Sequence, residues 1–219
     1  MTPDLIIFDC DGVLIDSEMI GCRVVAECLT ELGFPLETAD ILAFIGKSSG
    51  DMYTQLEARF SRPLPSGLDD RLAARRRAAF ERELTAMPDA IALMTALAGT
   101  RMCVASSSSP ERIRHSLGCV GLLDRFEGAL FSAAMVPRGK PAPDLFLHAT
   151  AAMRATPAGC AVIEDSVPGI QAAVAAGMTA IGFTGGAHCR VGHASTLRRA
   201  GARNVARSMT ALGAILDAR

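Results

Sequence analysis

The sequence predicts an α/β protein, a doubly wound parallel sheet core with an inserted all-helical domain. Three observations carry that expectation. Short apolar runs closed by turn residues recur at 5–8, 102–105, 129–131, 160–163 and 179–183, and such runs read as buried parallel strands. Helical patterns at 110–118, 143–153 and 168–177 alternate with the later runs, as helices covering both faces of a parallel sheet do. Between the first and second runs, by contrast, every convincing period is helical.

Taken in order, the first run ends in Asp9-Cys10-Asp11-Gly12, where the chain turns out of the sheet. In the helical stretch, Ile20, Val24, Cys28 and Leu32 share one face, Met52, Leu56 and Phe60 a second, and Leu68, Leu72 and Ala79 a third. Arg62-Pro63-Leu64-Pro65-Ser66-Gly67 reads as a linker between helices. The expected division is therefore a core of residues 1–15 and 85–219 around a helical insertion of residues 16–84. The 168–177 helix stops at Gly177, a residue suited to a helix C-terminus. A helix near 191–200, a strand near 203–206 and a helix at 209–218 complete the flank.

Composition narrows the partners. The chain has 219 residues, half of them hydrophobic, and a formal net charge of -1. That is ample for one sizeable core plus a smaller insertion. With no basic stripe or charge block, it is not expected to bind nucleic acid or a membrane surface. Arg75-Arg76-Arg77 is a dense cationic run in a helical stretch and reads as a solvated face. The seven cysteines show neither CxxC pairing nor zinc-like spacing, and several fall in apolar segments where Cys acts as a small hydrophobe. The opening segment has no basic region and turns acidic at once, so a reducing, cytoplasmic setting is expected. No apolar run approaches the ~20 residues of a membrane helix. The expected partner is a small molecule, and the expected state a monomer.

Ligands of open α/β sheets bind outside the carboxyl ends of the strands. Asp9 and Asp11 follow the first predicted strand, and Ser106 and Ser107 follow the second. Lys140 lies in the later loop Gly139-Lys140-Pro141, and Glu164-Asp165 follow the fourth strand. Like charges ~4 Å apart repel by about 4 kcal/mol at an effective dielectric near 20. Four acids sharing one edge with a phosphate therefore require counter-charge. A divalent cation supplies it, and an all-oxygen set favours Mg2+ over zinc. Lys140 adds a point charge suited to phosphate. A carboxylate can attack phosphorus and form an aspartyl phosphate. A second carboxyl group can protonate the leaving alkoxide and later take a proton from water. Ser109 stands where it would cap the helix that begins at Pro110, which leaves Ser106 for function. Gly169 reads as a close-packing position, and His115, His148, His188 and His193 as ordinary surface or packed residues.

Four segments, DCDGVLIDSE, ASSSS, GKPAPD and IEDSVPGIQAAVAAGM, resemble in order and spacing the motifs of the haloacid dehalogenase superfamily. They look most like its phosphatase branch with a helical cap inserted after the first motif, a group that includes phosphoglycolate phosphatase and β-phosphoglucomutase. The resemblance implies Asp9 as nucleophile and metal ligand, and Asp11 as acid/base that also offers its backbone carbonyl to Mg2+. It implies Ser106 and Ser107 with Lys140 as phosphate ligands, and Asp165 with Glu164 completing the metal shell. By position in the cap, Ile20, Gly46, Lys47, Ser48 and Arg76 are candidates to face substrate.

The expected activity is Mg2+-dependent hydrolysis of a small phosphorylated metabolite. The alternatives are a phosphosugar mutase of the β-phosphoglucomutase type and a non-turnover phosphoacceptor signalling domain. The family's mutases carry a histidine where Ile20 stands, and an arginine after the cap's glycine-x-serine where this chain reads Ser49. A signalling domain needs neither the helical insertion nor an acid at Asp11. True dehalogenases lack the second aspartate. The pattern around RMCVASSSS, RHSLG and LFLHA resembles bacterial sugar-phosphate phosphatases, including those of 6-phosphogluconate, so a sugar phosphate or sugar-acid phosphate is the expected substrate class.

Overall fold

A computed structural model of the chain describes residues 3–46 and 48–217. Its strands are β1 (Leu5–Phe8), β2 (Arg101–Ser106), β3 (Leu130–Ser132), β4 (Cys160–Glu164), β5 (Thr179–Phe183) and β6 (Asn204–Ala206). Among the described residues they form one sheet of six strands in the order β3-β2-β1-β4-β5-β6. Every neighbouring pair is parallel. The order reverses at β1, because the chain builds outward through β2 and β3 on one side and through β4, β5 and β6 on the other. In such sheets the crevice beside the reversal is where ligands sit. Phe8 pairs in register with Val104 and Ile163, so Asp9 emerges level with the ends of β2 and β4.

All four residues of β1 are fully buried, as a strand covered on both faces requires. Leu5 and Ile7 join Cys103, Ala105, Leu145, Phe146, Val162 and Ile170 in one core cluster. Phe8 is paired edge-on with Phe126, 6.3 Å between ring centres. The helices of this unit are α5 (Ala90–Ala96), α6 (Pro110–Cys119), α7 (Asp144–Ala152), α8 (Val167–Ala175), α9 (His193–Ala200) and α10 (Met209–Asp217).

Residues 17–84 form a second compact unit whose regular elements, among the described residues, are all helices: α1 (Glu18–Glu31), α2 (Thr38–Leu42), α3 (Ser49–Phe60) and α4 (Leu68–Glu83). Its core joins Cys22, Val25, Cys28 and Leu29 of α1 to Met52 and Leu56 of α3 and to Leu68 and Leu72 of α4. The buried stripe of α1 differs from the expected one, since Ile20 and Leu32 are only half-buried while Cys22, Val25 and Leu29 are buried. Steps of four residues overshoot a 3.6-residue turn, so a stripe drawn that way drifts off the packed face. In the arginine run, Arg75 is bound to Glu31 across the helices, Nη1 to Oε1 at 2.8 Å, and Arg77 lies 3.3 Å from Glu81 one turn on. The chain leaves the sheet unit after Asp16 and returns beside it, the Asp16 N–H donating to the Thr85 carbonyl at 3.1 Å. Among the described residues no helix is long and apolar enough to cross a membrane.

Candidate active site

The loop after β1 winds tightly. The Cys10 carbonyl accepts the N–H groups of Val13, Leu14 and Ile15 at 3.4, 3.0 and 3.2 Å. Gly12 makes this possible by adopting φ +77°, a conformation costly for any residue with a Cβ. The turn sends the two aspartates to different partners. The Asp9 carboxylate joins those of Glu164 and Asp165, one oxygen of each lying within 4.8 Å of the others, and all three residues are buried. Lys140 closes the cluster. Its Nζ donates to Asp9 Oδ1 at 2.6 Å, to Glu164 Oε1 at 2.5 Å and to the Ala105 carbonyl at 3.1 Å, which uses all three ammonium hydrogens. Only 5% of the Lys140 side chain is exposed.

Charge in this cluster is unbalanced. Three carboxylates face the Lys140 ammonium and, at Asp165, the His188 imidazole. Burial pushes the Asp9 carboxyl well above its ordinary range; Lys140 opposes that push, and Glu164 and Asp165 add to it. Burial works against the Lys140 charge as well, but Asp9 and Glu164 outweigh it and hold the ammonium above the usual lysine range. A buried, oxygen-only donor set with surplus negative charge fits a hard divalent cation.

Asp11 stands apart from that cluster. Its Oδ2 accepts from the Ser108 hydroxyl at 2.7 Å and its Oδ1 from Arg112 Nη2 at 2.9 Å. Ser108 is set in place by its neighbours: its N–H donates to Ser106 Oγ at 3.1 Å, and its carbonyl accepts from the Ser132 hydroxyl at 2.7 Å. Ser106 is thus buried at the end of β2, while Ser107 is exposed. Ser109 caps α6, its Oγ accepting the Arg112 N–H at 3.3 Å. That cap orients the first turn of α6, from which Arg112 reaches Asp11. The sequence does not single out Arg112, or Ser108 within its serine run, for this role. Their only sequence signal is the serine run itself, together with a cation one turn into the helix that follows it.

Glu164 is held from both sides. Lys140 binds Oε1, and the N–H and hydroxyl of Ser166 bind Oε2 at 2.9 and 2.8 Å. Gly169 leaves the space, because a Cβ there would overlap the Glu164 carboxylate. Asp165 meets two histidines that sequence reading set aside. His188 Nε2 lies 3.0 Å from Asp165 Oδ2, and His193 Nε2 lies 2.6 Å from the Asp165 carbonyl oxygen. Burial opposes a charge on His188, but hydrogen bonds with Asp165 and Cys189 outweigh it and lift the imidazole to about 10.

The remaining candidates belong to the helical unit. Gly46 is an exposed turn residue at φ +81°. Ser48 spends its hydroxyl on the start of α3, accepting the Asp51 N–H at 3.1 Å and donating to Asp51 Oδ2 at 2.7 Å. Ile20 and Arg76 are half-buried on α1 and α4. Lys47 lies outside the described residues.

A family model described as haloacid dehalogenase-like hydrolase matches residues 3–177. The 6-phosphogluconate phosphatase of Escherichia coli (strain K12) is 31% identical over 187 residues, 84% of each chain. A conserved haloacid dehalogenase-like protein of unknown function from Agrobacterium tumefaciens has a similar structure, with TM-score 0.87 and 38% identity over 98% of both chains. A haloacid dehalogenase family hydrolase from Deinococcus radiodurans, solved with bound phosphate and sodium, gives TM-score 0.81 and 33% identity, covering 98% of this chain and 95% of that one.

Proposed function

Because the chain belongs to the haloacid dehalogenase-like hydrolase family, we propose that it hydrolyses a sugar phosphate or sugar-acid phosphate through an aspartyl phosphate on Asp9. The reaction class is phosphoric monoester hydrolysis. The observation that carries the reading is the buried cluster of Asp9, Lys140, Glu164 and Asp165 at the reversal of the sheet. The E. coli relative is named for a phosphorylated sugar acid, and that name supports the substrate class.

Asp9, Asp165 and Glu164, with the backbone carbonyl of Asp11, are the residues that would hold Mg2+. Bound there, Mg2+ supplies positive charge against the phosphate dianion and the carboxylates. In the first half-reaction an Asp9 carboxylate oxygen attacks phosphorus, the bond to the sugar oxygen breaks, and the Asp11 carboxyl group gives its proton to that oxygen. In the second, water attacks the phosphorus, Asp11 takes the water's proton, and the bond to Asp9 breaks to release inorganic phosphate. Lys140, Ser106 and Ser107 neutralise and orient the phosphoryl oxygens. Ser108 and Arg112 hold the Asp11 carboxylate, one on each oxygen. The helical unit is the substrate-selecting element of this reading, with Gly46, Lys47, Ser48 and Arg76 as its candidate residues. Apolar Ile20, where the family's mutases carry a histidine, favours water over a second sugar hydroxyl as the acceptor.

The test is phosphate release from a panel of phosphorylated sugars and sugar acids, with p-nitrophenyl phosphate as the general substrate. Turnover with Mg2+ is expected, and Asp9→Asn should lower kcat by about 1000-fold or more while far-UV circular dichroism stays unchanged. Near-normal turnover by Asp9→Asn removes Asp9 as nucleophile. A long-lived phosphorylated Asp9 without turnover turns the reading toward a signalling domain.

A further inference from the structure

The segment that follows β5 returns to the site from the flank and braces Asp165 twice. His188 reaches the carboxylate, Nε2 to Oδ2 at 3.0 Å, and His193, the first residue of α9, reaches the main-chain carbonyl of the same residue at 2.6 Å. Both partners are acceptors, so each imidazole must carry its hydrogen on Nε2. The His188 ring is almost fully enclosed, with 3% of its side chain exposed. It lies in a slot made by two glycines. A Cβ on Gly12 would sit 2.9 Å from His188 Cε1, and a Cβ on Gly186 would sit 2.7 Å from Cε1 and 2.8 Å from Nδ1. The same Gly12 position would also overlap Asp165 Oδ2. The two glycines therefore leave room for this imidazole against this carboxylate. His188 is the one described residue that hydrogen-bonds the Asp165 carboxylate.

We propose that His188 is a positioning residue for the metal-binding carboxylate of Asp165. It donates Nε2–H to Oδ2, fixes the rotation of the carboxylate, and leaves Oδ1 free of protein partners for the ion. His193 anchors the backbone of the same residue, so the loop after β5 sets both the position and the orientation of one ligand. The proposal rests on the reading of Asp9, Glu164 and Asp165 as a divalent-cation site. Hydrogen-bond partners of metal ligands typically contribute about 10- to 100-fold in metal affinity. The effect of His188 passes through Asp165, whose carboxylate its Nε2 meets.

The experiment is calorimetric titration of the full chain with MgCl2 after EDTA treatment and removal of the chelator. It compares the unaltered protein with His188→Met and His188→Gln. Methionine keeps bulk and removes the donor; glutamine restores an N–H donor. His188→Met is expected to weaken Mg2+ binding by about 10- to 100-fold. His188→Gln should recover most of that loss. Mg2+ affinity that is unchanged in His188→Met, or no better in His188→Gln than in His188→Met, overturns the proposal. Should His188→Met fail to fold in EDTA, the unaltered protein decides. The His188 Nε2–H resonance must be present before Mg2+ is added and must shift on saturation, and a resonance that is absent or unmoved overturns the assignment. If the unaltered protein itself binds no Mg2+, it is the cation site that fails, an outcome distinct from loss of the His188 role.

Discussion

Two helical glycines should respond to the same substitution with opposite signs. Gly21 lies in α1, where an added Cβ would meet nothing within 4 Å beyond its chain neighbours and its own helix backbone, and its φ is not in the left-handed region. Gly21→Ala should therefore stabilise by about 0.5–1 kcal/mol, the helix-propensity difference between glycine and alanine. Gly169, in the first turn of α8, would gain the same amount from propensity alone. Its Cβ, however, would displace the Glu164 carboxylate from the Lys140 ammonium at 2.5 Å and from the Ser166 N–H and hydroxyl at 2.9 and 2.8 Å. Breaking a buried charged pair costs about 3–5 kcal/mol, because the partner is left uncompensated. Subtracting the propensity gain leaves Gly169→Ala destabilised by about 2–4 kcal/mol. For a chain of this size 1 kcal/mol moves the melting midpoint by roughly 2–4 °C, so the expected drop is about 4–16 °C. Urea and thermal unfolding followed by circular dichroism measure both variants, each read on the transition of the unit that carries it. A Gly169→Ala protein as stable as the parent, or stabilised like Gly21→Ala, refutes the claim that Gly169 exists to seat Glu164.

Two further outcomes follow from the same cluster. Lys140→Met removes the cation that Asp9 and Glu164 share, so kcat/KM for phosphate esters should fall by about 100- to 1000-fold; a loss under tenfold argues against Lys140 as a phosphate ligand. Chelation with EDTA should abolish turnover and lower the melting midpoint, since an ion present at 100 times its Kd stabilises the folded chain by about 2.7 kcal/mol. Activity and melting that both survive thorough chelation would remove the cation from the mechanism.

Strand β1 was legible because a fully buried strand must be apolar throughout and its exit must turn, and Leu5 to Gly12 meets both conditions. Elements without such a pattern were missed. Helix α2 is five residues long, too short to display a period, and α5 reads AIALMTA, so apolar that no stripe stands out. At the site, Asp9, Lys140, Glu164 and Asp165 could be nominated because acids and a lysine at strand ends have few structural reasons to be there. Arg112 had a ready explanation as a helix surface residue, and His188 as an ordinary histidine; only their partners distinguish them.

The sequence by itself determined the α/β fold class with its parallel sheet, and it nominated the acids and the lysine of the edge where Asp9 emerges. Those follow from local properties: runs, periods and turn residues. Tertiary structure alone decided how that edge is organised. It set Lys140 between Asp9 and Glu164, sent Asp11 to Ser108 and Arg112, and brought His188 against Asp165. These pairings join residues on separate strands and loops. They depend on strand order and on the space that Gly12, Gly169 and Gly186 leave, and neither is a property of any single segment.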